Sequence, residues 1–364
     1  MELQSIHHGV SGPILATLEL IHNAKESVSL LTYAMEGGGM IDDCLVATLN
    51  KTKAKNIRVL TNKKWWETNH AIHCTRTVIQ MRAWSPVDFQ IYHSKFVIVD
   101  HRFVVMGGFN FEEVFFKTWS DCCLIFESPE IAKQLQQYFE IIWNKSKKMN
   151  CVESKVEPHC EEKPKLETSH LFNPPISIEK YHLLLQHPRI FRFHAGKSPA
   201  FEKLKSYLED ATQTIDIISP NVVDSCLWSV ITEQLQRGVR VRIVTNLEQD
   251  DNLQANIFLL QHEHHYFCKN TRRLPLLQIR YANYPHQKSV TRVMGKKFHD
   301  FIDHTKFICV DMEHVYFGSF NLDVASMHNN GEIGLIFSDI NAAKQIMMFL
   351  FAKVWNTATP IVCG

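Results

Sequence analysis

Apolar residues along the chain switch repeatedly between helical spacing and short continuous runs. "GPILATLELIHNAKESVSLLTY", 12–33, predicts a helix followed by a strand around Val28–Tyr33. "SPAFEKLKSYLEDATQTIDIIS", 198–219, repeats the order, with its strand around Ile215–Ser219. A further helix and strand follow in each half, "NIRVLTN" ending at Asn62 and "VRVRIVTN" ending at Asn246. Each half closes on a helical pattern ending in Trp-Asn, "YFEIIWN" (Tyr138–Asn144) and "FLFAKVWN" (Phe349–Asn356). Helices alternating with apolar strands predict an α/β protein whose sheets are well covered. The repetition predicts two pseudo-symmetric units, 1–148 and 176–364. Between them, 149–175 is charged and proline-containing and reads as a linker or surface loop. The second unit carries an extra polar, basic and aromatic stretch, about 247–303, read as an insertion of loops.

One pair of apolar runs is interrupted by polar residues in the same way. "HSKFVIVD" spans His93–Asp100, and "HTKFICVD" spans His304–Asp311. Alternation along a strand puts His93 with Lys95 on one face and Asp100 on the other, and likewise His304 and Lys306 against Asp311. Imidazole beside ammonium grips a phosphate. Each aspartate reads as a support that holds the strand end. At matched offsets follow Gly108 and Asn110 in "GGFN", and Ser319 and Asn321 in "GSFN". The asparagine amides are candidate donors to phosphoryl oxygens. Asp121 and Glu332 stand at the same offset from their own histidines, and each is expected to hold that imidazole's second nitrogen.

Composition narrows the picture. The 364 residues are 45% hydrophobic with a formal net charge of +1, which excludes the global basic field of a dedicated duplex-DNA binder. The start shows no secretory signal and no apolar run has membrane-spanning length, so a soluble cytoplasmic or peripheral membrane protein is expected, with signal-independent export left open. The ten cysteines form no CxxC pair, and Cys44, Cys122, Cys123 and Cys309 read as reduced, buried thiols. His262, His264, His265 and Cys268 match no firm zinc spacing, and neither do His159 and Cys160. Lys63, Lys64, Trp65 and Trp66, and the basic run Arg292, Lys296, Lys297, are candidates for the rim of a site, at a lipid surface or along a nucleic-acid strand. Trp228 reads as a core residue of a helix stopped by glycine.

The paired motifs resemble the two HKD motifs of the phospholipase D superfamily, H-x-K-x4-D followed by G-[GS]-x-N. The second copy, "GSFNLDVASMHNNGEIGLIF", is similar to the cardiolipin-synthase branch at Asn321, Leu322, Asp323, Ser326, Asn330 and Glu332, with Ala325 where that branch commonly has arginine. Asp121 also departs, standing where glutamate is usual. The resemblance implies two phospholipase D-like units, each a mixed sheet flanked by helices, with the active site at their interface. It implies phosphodiester chemistry through a covalent phosphohistidine, with His93 as nucleophile, His304 as acid/base, and Lys95, Lys306, Asn110 and Asn321 on the non-bridging oxygens. No metal or cofactor is implied, since two lysines supply the positive charge. A phospholipid substrate, hydrolysed or transferred, is the first expectation. A nuclease acting on single strands is the second and an inactive phosphate-binding scaffold the third. Both half-sites lie in one chain, so a monomer is expected to suffice.

Overall fold

The computed structural model describes residues 1–35, 40–62, 78–85, 91–149, 169–188, 198–246, 276–282, 291–293, 296–298 and 302–360. Among them two large mixed sheets repeat one plan. In the first, neighbouring strands run Lys147–Lys148, Ile79–Trp84, Asn56–Asn62, Ser27–Leu31, Phe96–Val99, Phe103–Gly107, Asp121–Glu127, Glu2–Gly9 and Ser169–Ser177. In the second they run Thr359–Pro360, Leu277–Tyr281, Arg240–Thr245, Thr214–Ile218, Phe307–Val310, His314–Gly318, Glu332–Ser338 and Lys180–Gln186. Three parallel strands lead into an antiparallel meander in each. The expected α/β architecture of two related units is the one observed.

The strands that follow the two lysines are buried on both faces, and their alternation shows what each face meets. Phe96 and Ile98 enter an apolar cluster shared by the two units, together with Phe307, Phe317 and Phe337. Val97 and Val99 face the first unit's outer cluster, under helices Gly12–His22 and Met40–Lys51. Ile308 and Val310 face the matching cluster of the second unit, under Pro199–Glu209 and Ser225–Gln236. Trp228 is buried there, and Gly238, at φ +91°, follows that helix in a left-handed conformation. Each large side chain in such a cluster contributes about 1.5–3 kcal/mol, so the shared cluster binds the units firmly.

The Trp-Asn helices line that cluster. Ser128 caps Pro129–Lys145 by accepting from the Ile131 N–H, and Ile131, Leu135, Tyr138, Phe139 and Ile142 form its buried stripe. Asp339 caps the second copy the same way, which runs Ile340–Ile346, a π turn at Met347–Phe351, and Ala352–Thr357. Arg82 donates to the Trp143 carbonyl at 2.8 Å with its guanidinium 4.8 Å from the indole centroid. Arg280 does the same at Trp355, at 2.8 and 4.2 Å. The repeat thus extends to side-chain contacts.

Three readings change. Ser169–Ser177, partly inside the expected linker, is an edge strand paired with Glu2–Gly9, a place that admits Pro174 and Pro175; 150–168 lie outside the described residues. Leu277–Tyr281, inside the expected insertion, is a frame strand equivalent to Ile79–Trp84. Cys44 is disulfide-bonded rather than reduced, its partner outside the described residues, and spacing alone does not reveal pairing. Cys122, Cys123 and Cys309 are buried free thiols. Lys63–Trp66, His159, Cys160 and the 262–268 cluster also lie outside the described residues.

Asp100 and Asp311 sit at the far ends of their strands from the histidines, in left-handed turns at φ 51° and 53°. The Asp100 carboxylate accepts the backbone N–H groups of Lys25, Glu26 and Ser27 at 2.7–3.1 Å. Asp311 accepts those of Thr212, Gln213 and Thr214 at 2.7–2.8 Å. Each aspartate thus ties its strand end to the neighbouring strand, the supporting place that alternation along the strand predicts. Partial burial works against the Asp100 charge, but the N–H bonds prevail and hold its carboxyl below the ordinary value. A depressed carboxyl contributes stability above its unfolded pKa that is lost as pH falls. Asp100→Asn, which tolerates the same turn, should therefore destabilise by about 1 kcal/mol at pH 7, discounted for solvent screening. In thermal unfolding across pH the difference from wild type should close below about pH 4.

Candidate active site

The two motifs meet because each is sewn to the opposite unit. The His93 N–H donates to the Gly331 carbonyl and the His304 N–H to the Ser120 carbonyl, both at 2.7 Å. Isolated bridges join Tyr92 to Gly331 and Ser120 to Asp303. The residue after each acceptor is the carboxylate. His93 Nδ1 therefore lies 3.0 Å from Glu332 Oε1, and His304 Nδ1 lies 2.8 Å from Asp121 Oδ2. This corrects the expectation that each acid holds the histidine of its own unit. The offsets are equal in sequence, but the backbone pairing places each acid across the interface. With Nδ1 bound to a carboxylate, each imidazole is set to carry its lone pair on Nε2.

Lys95 and Lys306 are each 2% exposed. Their ammonium groups donate to the carbonyls of His93 and His304, both at 2.7 Å, and the Lys306 Nζ also lies 2.8 Å from His304 Nε2. Ser319 Oγ donates to Glu332 Oε2. Its counterpart is Gly108, where a Cβ would stand 2.8 and 2.9 Å from the Asp121 oxygens, so glycine makes room for the shorter acid. Asn110 donates to Glu112 at 2.8 Å. The buried Oδ1 atoms of Asn110 and Asn321 have no hydrogen-bond partner among the described residues.

Aromatic side chains that sequence reasoning passed over also flank the pair. Tyr33 meets His93 edge-on at 5.0 Å and lies 5.3 Å from the Lys95 ammonium. Phe115 and Trp119 lie 5.1 and 5.8 Å from His304. The "VFFKTW" run before Asp121 was the available signal, but its spacing is that of ordinary core.

Burial dominates the electrostatics. It pushes Lys95 well below the usual lysine range and Lys306 down to about 8, against the pull of the nearby carboxylates. Burial also lowers His93, opposed by Glu332, and lowers His304 further, with the two lysines and His93 adding to the effect. The acids diverge. Burial works against the Glu332 charge, but His93, Lys95 and the Ser319 hydroxyl hold it below its ordinary value. Burial raises Asp121 to about 7, despite Lys306 and the Cys122 N–H. A negative charge entering here would raise both imidazoles and both lysines towards their charged forms.

A family described as cardiolipin synthase, PLD-like domain, matches residues 17–143 and 204–355. Among solved structures, phosphatidylserine synthase from Haemophilus influenzae Rd KW20 superposes with a TM-score of 0.66 at 13% identity, covering 99% of this chain and 89% of that one. Polyphosphate kinase from Porphyromonas gingivalis gives 0.56 at 11%, covering 96% and 47%. The phospholipase D family member Nuc from Salmonella typhimurium gives 0.34 at 22%, covering 40% and 97%. No curated protein matches in sequence. At these identities the likeness is one of fold.

A carboxyl raised in the folded state binds its proton more tightly there, so its share of stability falls as pH rises from the unfolded value near 4 towards 7. Asp121→Asn should unfold with wild type near pH 4 and at a higher temperature than wild type at pH 8, as read by calorimetry.

Proposed function

The chain belongs to the cardiolipin synthase, PLD-like domain family, and on that premise we propose that it cleaves or transfers phosphodiesters through a covalent phosphohistidine, with phospholipid as substrate. The carrying observation is the crossed pairing of two histidines with two carboxylates around two buried lysines. His93 is the nucleophile, because Glu332 keeps its charge and holds the ring proton on Nδ1. Its Nε2 forms a bond to phosphorus as the bond to the leaving oxygen breaks, and that oxygen takes the Nε2 proton of His304, which enters this step as the imidazolium with Nδ1–H on Asp121. An incoming water or alcohol then gives a proton back to His304, bonds to phosphorus and releases His93. Lys95, Lys306, Asn110 and Asn321 take the non-bridging oxygens, an assignment supported by the two buried ammonium groups held beside the histidines.

The phospholipid reading is supported by the family description and by the second motif's Asn321, Asp323, Ser326, Asn330 and Glu332. Phe115 and Trp119 add an apolar wall beside His304. Among the described residues no helix is long and apolar enough to cross a membrane, and we take the protein to meet lipid peripherally. We take the functional units to be 1–148 with the edge strand Ser169–Ser177, and the chain from Lys180 onward, and one chain holds both half-sites.

Labelled phosphatidylglycerol, phosphatidylcholine and single-stranded DNA, offered in parallel, decide the substrate. Lipid turnover should fall by roughly 10³-fold or more in His93→Ala and in His304→Ala, with unfolding temperatures near wild type. Histidine-dependent DNA cleavage without lipid turnover would replace the phospholipid reading with a nuclease. In His304→Asn, peptide-level mass spectrometry should find a phosphatidyl adduct on His93.

A further inference from the structure

Behind His304 stands a second buried acid at a position that holds Tyr92 in front of His93. Asp303 immediately precedes His304 and is 2% exposed. Its Oδ2 lies 3.2 Å from Nε2 of His8, on the first unit's strand Glu2–Gly9, and the Ser120 hydroxyl meets the same nitrogen at 3.0 Å. Its Oδ1 accepts the Thr305 N–H at 3.0 Å. Asn246 fixes its backbone twice, accepting the N–H at 3.0 Å and donating to the carbonyl at 2.9 Å. Ser120 in turn accepts the His304 N–H and donates its own to Ile302. The peptide pairs Ser120–Asp121 and Asp303–His304 are thus joined across the interface through His8.

The residues flanking His93 in the chain are neutral, and the acid that faces that half-site, Asp323, reaches Glu332 and His93 from the second unit's own loop and bonds Asn221 and Ser326 rather than a histidine. Tyr92 precedes His93, and Ser94 bonds the Tyr138 hydroxyl, which donates to the Gln186 carbonyl. Leu185 stands where His8 does, each paired with the residue after the carboxylate. Burial works against the Asp303 charge, but its bonds to His8 and Thr305 keep its carboxyl below the ordinary value. It thus stands ionised beside Asp121 and strengthens the hold of Asp121 and Lys306 on their protons. Lys306, Lys95 and the Cys122 N–H pull Asp121 the other way. The Cys122 thiol is pushed far up by burial and stays neutral. His304 also faces Lys306, Lys95 and His93, and Lys306 faces Glu332 and Asp323 as well.

We propose that Asp303, held by His8 across the interface, is a positioning residue that sets His304 apart from its pseudo-symmetric partner and makes the Asp121–His304 arm the one that carries the proton. The inference rests on the reading that one histidine attacks phosphorus while the other moves the proton.

Imidazole nitrogen NMR across pH tests it without any substrate. In Asp303→Asn the titration of the Asp121–His304 pair, followed at the His304 nitrogens, should move to lower pH by about half a unit or more, while that of His93 stays in place. Asp303→Glu should restore it. Should Asp303→Asn fail to fold, His8→Leu, which copies Leu185, strips the donor that keeps Asp303 ionised and should move His304 in the same direction. A second arm compares an alkyl phosphodiester, whose leaving oxygen needs a proton, with bis(p-nitrophenyl) phosphate, whose leaving group does not. Asp303→Asn should lose roughly 10–100-fold on the alkyl ester and under about threefold on the aryl ester. Equal losses on both esters, or histidines that shift together or not at all, would overturn the proposal. Failure of wild type to cleave either ester would instead count against the phosphodiesterase reading, with the titration still deciding the role of Asp303.

Discussion

Charges withdrawn from water must find one another, and in this fold the two histidines find their carboxylates across the interface of the two units. Lys95, Lys306, Asp121 and Glu332 are all at most 2% exposed. An unpaired buried charge is strongly destabilising. The acids sit opposite the other unit's histidine, and the lysines lie close enough to feel both acids. The apolar cluster shared by the two units, with Phe96 and Phe307 at its edge towards the site, supplies the attraction that keeps these charges together. Packing and electrostatics therefore act on the same surface, and neither unit offers a finished site to the other.

The resting site is poised rather than fully charged. Burial lowers both lysines and both histidines, and raises Asp121 towards neutrality. A negatively charged group entering the site would favour the ammonium and imidazolium forms. Groups held off their preferred charge in this way fit poorly with maximal stability.

Much of this was legible beforehand. The repeat was visible because helix and strand periods alternate in the same order twice, and the motif residues stood out as polar interruptions of buried strands. The supporting role of Asp100 followed from alternation, which put it away from His93. The crossed pairing was not legible, because Asp121 and Glu332 keep equal offsets whichever histidine they serve, and only the Tyr92–Gly331 and Ser120–Asp303 bridges break the tie. Ser169–Ser177 was hidden by prolines and exposed polar residues, which an edge strand tolerates and a central one does not. Leu277–Tyr281 was hidden by its polar flanks. Tyr33, Phe115 and Trp119 look like core in any sequence, and only their position beside the imidazoles gives them another meaning.

The crossed pairing also bears on how such a chain could arise and change. One copy of the unit could not complete its own histidine and would need a second molecule facing it, with identical acids on both sides. Two copies in one chain remove that requirement of identity. Each acid then answers to a single histidine and can diverge with its own surroundings. Asp121 beside Gly108, and Glu332 beside Ser319, are two such solutions within one molecule. Covalent duplication thereby turns a symmetric site into one whose halves are free to specialise.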